Sequence, residues 1–197
     1  MSPAPGEFYT EERWQNWIER VQDEDLDPED EDSARLLLNL QDDAAIAIVR
    51  VVSAHEDGEL GEQEAREELG SIQEIVLGDA AVEDEEKAML LDGVQTSLVC
   101  VFYAADEYVA EGPAEGASVE EYVTAARDAE AEEDVEAALG YCAQAGTLLL
   151  DGEEMDMSVA ADLEYGLVAE WVNGLDSLQS ATRDPEVIEE EDEDAKE

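Results

Sequence analysis

Asp23, Asp25 and Asp27 alternate as the first three ligands of an EF-hand calcium loop do. The match stops there. The sixth position of such a loop needs a glycine for its turn and the twelfth a bidentate glutamate, but the chain has Pro28 and Ala34. Asp57-Gly58-Glu59 is shorter still, and both stretches read as acidic turns. A carboxylate-bridged di-iron centre in a helical bundle uses two Glu-x-x-His pairs. The chain has a single histidine, His55, with Val52 three residues before it. His55 stands near a predicted helix C-terminus, where the dipole favours an imidazolium, and that structural role accounts for it. Hydrolytic triads, His/Cys zinc clusters and phosphate-binding loops need histidines, cysteines or glycine spacings that this chain lacks. No catalytic residue, cofactor-binding residue or metal ligand is assigned, and no cofactor is expected.

Two groups of residues stand out from this background. Arg50 interrupts an apolar run, and an unpaired buried guanidinium is costly. Its charge must reach solvent or meet a carboxylate. Asp42 and Asp43 lie on its own helical seam, and Asp106 comes from a later helix. Asp42, Asp43, Arg50 and Asp106 are thus a candidate polar seam. The simpler expectation is an internal ion pair; the functional one is an anion-binding or partner-binding position between two central helices. Trp14 and Trp17 form the second group, an aromatic pair on a short helix beside an acidic linker. Docking onto the chain's own core is their expected use. Anchoring a partner is the alternative, because Trp is enriched at binding hot spots.

These groups sit in an extreme electrostatic setting. Asp and Glu number 57 against 9 Lys and Arg, a formal net charge of −48 over 197 residues. Self-repulsion of that size usually accompanies disorder, yet 44% of the residues are apolar and fall in helix-length blocks. Compactness then calls for concentrated salt, where the Debye length shrinks to about 3 Å at 1 M. The charge is therefore expected to report on the solvent, a salt-filled archaeal cytoplasm, rather than on a partner. Seven Arg against two Lys suits that medium, since guanidinium is more weakly hydrated and pairs bidentately with carboxylates. Cys100 and Cys142 each lie in an apolar helical run and are expected as buried free thiols. Met1 to Gly6 lacks the basic-then-apolar pattern of a signal peptide. The apolar run Ala44 to Val49, stopped by Arg50, is too short to cross a bilayer. A cytoplasmic protein is expected, with no membrane partner and no direct nucleic-acid contact.

Periodicity is helical and strand alternation is absent. A first helix follows Thr10 as N-cap, with Glu11 and Glu12 at the positive end of its dipole and Trp14, Trp17, Ile18 and Val21 as its stripe. Gln22 to Glu31 is an acidic linker in which Asp27 and Pro28 read as N-cap and first residue of the next helix. That helix runs to about Glu56 and is apolar on most sides, Leu36, Leu37, Leu38 and Ile48 among them. A third spans about Gly61 to Leu77. The fourth, about Val82 to Glu111, is the other central candidate, with Met89, Leu90, Leu91, Val94 and Leu98. Ser118 and Glu121 make a capping box for a fifth helix, about Val119 to Ala129. A sixth covers about Glu132 to Leu150 and a seventh about Asp156 to Ala181. The expected fold is all-α, a single-domain helical bundle of about seven helices, two of them central and largely buried. Residues 1–9 are expected as a flexible N-terminus, 10–184 as the helical domain and 185–197 as a disordered acidic tail.

The run Glu12-Arg13-Trp14-Gln15-Asn16-Trp17-Ile18, with Leu40-Gln41-Asp42-Asp43 opening a long apolar helix, resembles a conserved archaeal family of uncharacterised function found in halophiles and methanogens. The resemblance covers most of the chain up to the acidic tail. It implies archaeal origin, and it carries no established activity and no site residues. The expected function is a non-enzymatic cytoplasmic protein that binds another protein. One alternative is an acidic nucleic-acid mimic that blocks a basic nucleic-acid-binding protein, which requires carboxylates concentrated on one face. The other is a small-ligand binder or enzyme built on the Arg50 seam, which requires a concave pocket lined by those groups.

Overall fold

The computed structural model describes residues 8–27 and 29–183. Among them are eight helices: α1 (Glu11–Asp23), α2 (Glu31–Glu56), α3 (Glu62–Val76), α4 (Glu85–Glu111), α5 (Val119–Ala131), α6 (Val135–Leu150), α7 (Met157–Ala161) and α8 (Leu167–Arg183). The described residues form an all-α bundle. Side-chain caps set most of the starts. Thr10 Oγ1 accepts the Arg13 N–H at 3.2 Å. Ser118 and Glu121 exchange hydrogen bonds of 3.2 and 2.9 Å across the first turn of α5. Asp84 and Asp134 cap α4 and α6.

Several boundaries differ from expectation, α4 and α6 each starting about three residues later than expected. The N-cap of α2 is Asp30, not Asp27. The Asp27 carboxylate accepts the Glu29 N–H at 2.9 Å, and its own N–H donates to Ser33 Oγ at 3.0 Å, so Asp27 shapes the turn before the helix. Pro28, expected as first helical residue, lies outside the described residues. The expected seventh helix is two, α7 and α8, which makes eight elements rather than seven. The cause comes from another helix. Glu130 Oε1, at the end of α5, accepts the backbone N–H of Leu167 at 2.6 Å and of Val168 at 3.3 Å. It caps α8 in trans. A Cβ on Gly166 would stand 2.6 Å from Glu130 Oε1, so the glycine provides room for that carboxylate.

The two central helices are α2 and α4. α4 packs against α2, α3, α6 and α8, and α2 against α1, α3, α4 and α8. α4 is long and apolar enough to span a bilayer by length and composition, but half of that stretch is buried in the bundle. Glycine lets the helices approach closely. A Cβ at Gly174 of α8 would collide with the backbone oxygen of Ser97 on α4, and one at Gly146 of α6 would stand 2.5 Å from Ala104 Cβ. The polar groups trapped at these contacts are satisfied. Gln41 Nε2 donates to Ser177 Oγ at 2.8 Å and to the Asn173 carbonyl at 3.2 Å, while its Oε1 accepts from Ser97 Oγ at 2.7 Å. Cys100 and Cys142 are buried free thiols on α4 and α6, and burial together with the neighbouring Cys142 pushes the Cys100 thiol up. The N-terminal boundary also moves. Tyr9, expected in a flexible segment, is buried in the core with Phe8 packed against it, whereas residues 1–7 and the expected tail at 185–197 lie outside the described residues.

Candidate functional site

The tryptophan pair docks inward. Trp14 is 2% exposed, and with Ile18 and Val21 it fills the core beneath α1. Trp17 is half-buried, and its indole Nε1–H donates to Asp43 Oδ2 at 2.8 Å. The same carboxylate takes both arms of the Arg13 guanidinium, Nε at 2.8 Å and Nη2 on the other oxygen. Asp43 is buried on α2, so one acidic side chain latches α1 onto the bundle through two donor residues. The Arg20 guanidinium lies 4.7 Å from the Trp17 ring centroid and covers its outer face. The Tyr9 hydroxyl is buried beside this cluster without a hydrogen bond of ordinary geometry, and burial and the Asp43 charge push its pKa up.

The other seam residues turn to different neighbours. Asp106 on α4 pairs bidentately with Arg66 on α3, Nε to Oδ1 at 2.7 Å and Nη2 to Oδ2 at 3.0 Å, in the open. Asp42 faces α8; burial pushes its carboxyl up, the Ser177 hydroxyl offsets part of this and the Asp176 charge adds to it. Arg50 is half-buried and engaged in a polar contact of its own. Four of the best-formed concave surfaces among the described residues are lined by none of the four. His55 sits in the last turn of α2, and its Nδ1 donates to the Leu60 carbonyl at 3.1 Å. Among the described residues no group of three or more His, Cys, Asp or Glu is placed to hold a metal ion.

A groove that the sequence does not announce lies between the first halves of α2 and α4 and the start of α8. It consists of two adjoining concavities of about 850 and 690 Å³ that share Met89, Gly93, Tyr165 and Glu170. Leu37, Leu38 and Leu90 line one lobe and Leu167 the other. Much of this apolar surface is open: Met89 is 74% exposed, Tyr165 95% and Leu38 46%. Leu38 is two residues from the buried Leu36 and Leu40, and Met89 two from the buried Leu91, which sets both on the opposite side of their helices from the core. The trans cap from Glu130 determines where Tyr165 and Leu167 stand on the rim. Asp92, Glu86 and Glu170 also line the groove, and no Lys or Arg does. Glu170 is half-buried, burial pushes its carboxyl up, and its side chain has no hydrogen-bond or ionic partner among the described residues.

A family model described as an uncharacterised protein conserved in archaea (DUF2150) matches residues 7–191. The chain belongs to that family. The match takes in all eight helices and both the latch and the groove. No curated protein and no solved structure matches the chain.

Proposed function

We propose that this member of the family is a non-enzymatic cytoplasmic protein of a salt-adapted archaeon that binds another protein through the groove between α2, α4 and α8. One observation carries the reading: Leu38, Met89 and Tyr165 are exposed together, with further apolar residues around them. Scattered exposed leucines are ordinary on a soluble surface, but a contiguous apolar patch rimmed by polar groups is a feature of interaction sites. In molar salt such a patch is under stronger pressure to be covered, because high salt strengthens apolar association while screening charge.

The alternatives have less support. A ligand site on the Arg50 seam would need its carboxylates to converge, and Asp43 and Asp106 are already held by Arg13 and Arg66. A nucleic-acid mimic would concentrate its charge, and acidic residues occur in the first turn of α1 to α6 and of α8 alike. The Trp14 and Trp17 pair, buried and latched, offers a partner little more than the edge of Trp17. The test is retention of a partner at molar potassium chloride by the native chain and by Leu38→Glu. A stoichiometric partner held by the first and lost by the second is expected. Equal retention, or none by either folded protein, would contradict the reading.

A further inference from the structure

We infer that the groove's occupant is an amphipathic helix of a partner protein that brings a Lys or Arg to Glu170 and lays its backbone close over Gly93. This rests on the protein-binding reading above and gives it a chemistry. Glu170 is the first observation: a half-buried carboxylate at the meeting of the two lobes, without a partner among the described residues, in a lining that holds two more carboxylates and no cation. A cation delivered there would meet a charge already partly stripped of water, and salt screens such a pair far less than it screens a surface pair. A second copy of this chain is the wrong occupant on the same ground. It would set Glu86, Asp92 and Glu170 against an equally anionic surface, and like charges brought together across an interface are costly.

Gly93 is the second observation. It lies in the interior of α4, where glycine carries a stability cost relative to alanine. At Gly146 and Gly174 that cost is explained by a neighbouring helix occupying the space of the missing Cβ. A Cβ on Gly93 would meet nothing within 4 Å. Gly70 and Gly140 share that openness, but Gly93 alone of the three lines both lobes of the groove. A bare stretch of helix between flanking apolar residues is what a further helix needs to pack at short axial distance, and helix-in-groove recognition uses apolar anchors of helical period.

A photo-crosslinking residue at Met89 of the full chain, activated in molar potassium chloride, identifies the contacting segment by mass spectrometry. An apolar segment of helical period with a Lys or Arg beside its anchors is expected. Synthesised as a peptide, that segment should bind Glu170→Gln about tenfold more weakly than the native chain. It should bind Gly93→Ala several-fold more weakly, although that variant is at least as stable as native. Capture of a second copy of this chain, of an extended or anionic segment, or of a segment whose affinity is untouched by Glu170→Gln would overturn the inference and leave protein binding intact. No groove-dependent product from folded protein would overturn both.

Discussion

Asp43 and Glu170 are carboxylates of the same bundle in opposite states. Asp43 is buried and saturated, with a bidentate guanidinium and an indole N–H on its two oxygens. Glu170 is half-buried and unmet by any cation among the described residues. The glycines divide in the same way, Gly174 and Gly146 being pressed by a neighbouring helix and Gly93 facing open space. At Asp43, Gly146 and Gly174 the chain supplies the contacts itself. At the groove the lining is apolar and anionic, and Glu170 and Gly93 lack such contacts among the described residues.

The contrast can be tested residue by residue. Gly174→Ala should have the largest effect, because its Cβ would strike Ser97 backbone rather than a yielding side chain. A loss of about 3 kcal/mol, or failure to fold, is expected in urea unfolding at molar potassium chloride. Asp43→Ala removes the carboxylate shared by Arg13 and the Trp17 indole. Removing one partner of a fully buried pair costs about 3–5 kcal/mol, and because Arg13 is 40% exposed the expected loss is nearer about 2 kcal/mol, seen as faster hydrogen exchange in α1. Gly93→Ala should move stability the other way, raising it by up to about 1 kcal/mol, since the new methyl fits without contact.

The smallest effect is a pH slope. Burial raises the carboxyl pKa values of Asp42, Glu107 and Glu170. Just above the ordinary carboxylate range the folded state then binds more protons than the unfolded state, so stability increases as pH falls from neutrality towards that range. Asp42→Asn and Glu170→Gln should each flatten the slope, whereas Asp156→Asn, replacing an exposed carboxylate whose pKa is lowered by Ser158, should not. An unchanged slope in both variants would mean that relief of overall charge repulsion alone drives it.

Much of this architecture was legible because local chemistry governs it. The Thr10 cap, the Ser118–Glu121 box and the stripe of Trp14, Ile18 and Val21 depend on residues within two turns of one another. What escaped depends on distance along the chain. Arg50 looked like a mate for Asp43 because seven residues separate them on one helix, but the guanidinium on Asp43 arrives from Arg13, 30 residues away. The break between α7 and α8 escaped because Leu163 and Leu167 keep helical phase across it, and the group that enforces it, Glu130, lies 37 residues before Leu167. The groove escaped for a different reason. Leu38 and Met89 are core residue types within apolar runs, but their i±3 and i±4 neighbours include Arg35, Gln41, Asp42, Glu86, Asp92 and Gly93, so residue type masked a face that the spacing leaves turned outward.

Met89 and Val135 are both exposed apolar side chains, and only Met89 lies in the groove. The same photo-crosslinking residue placed at each position, in cells or in lysate at molar potassium chloride, separates a binding surface from mere exposure. A single protein crosslinked from position 89 and not from position 135 is the expected result. Equal labelling from both positions, or none from position 89 in a folded chain, would contradict the groove as the site of contact.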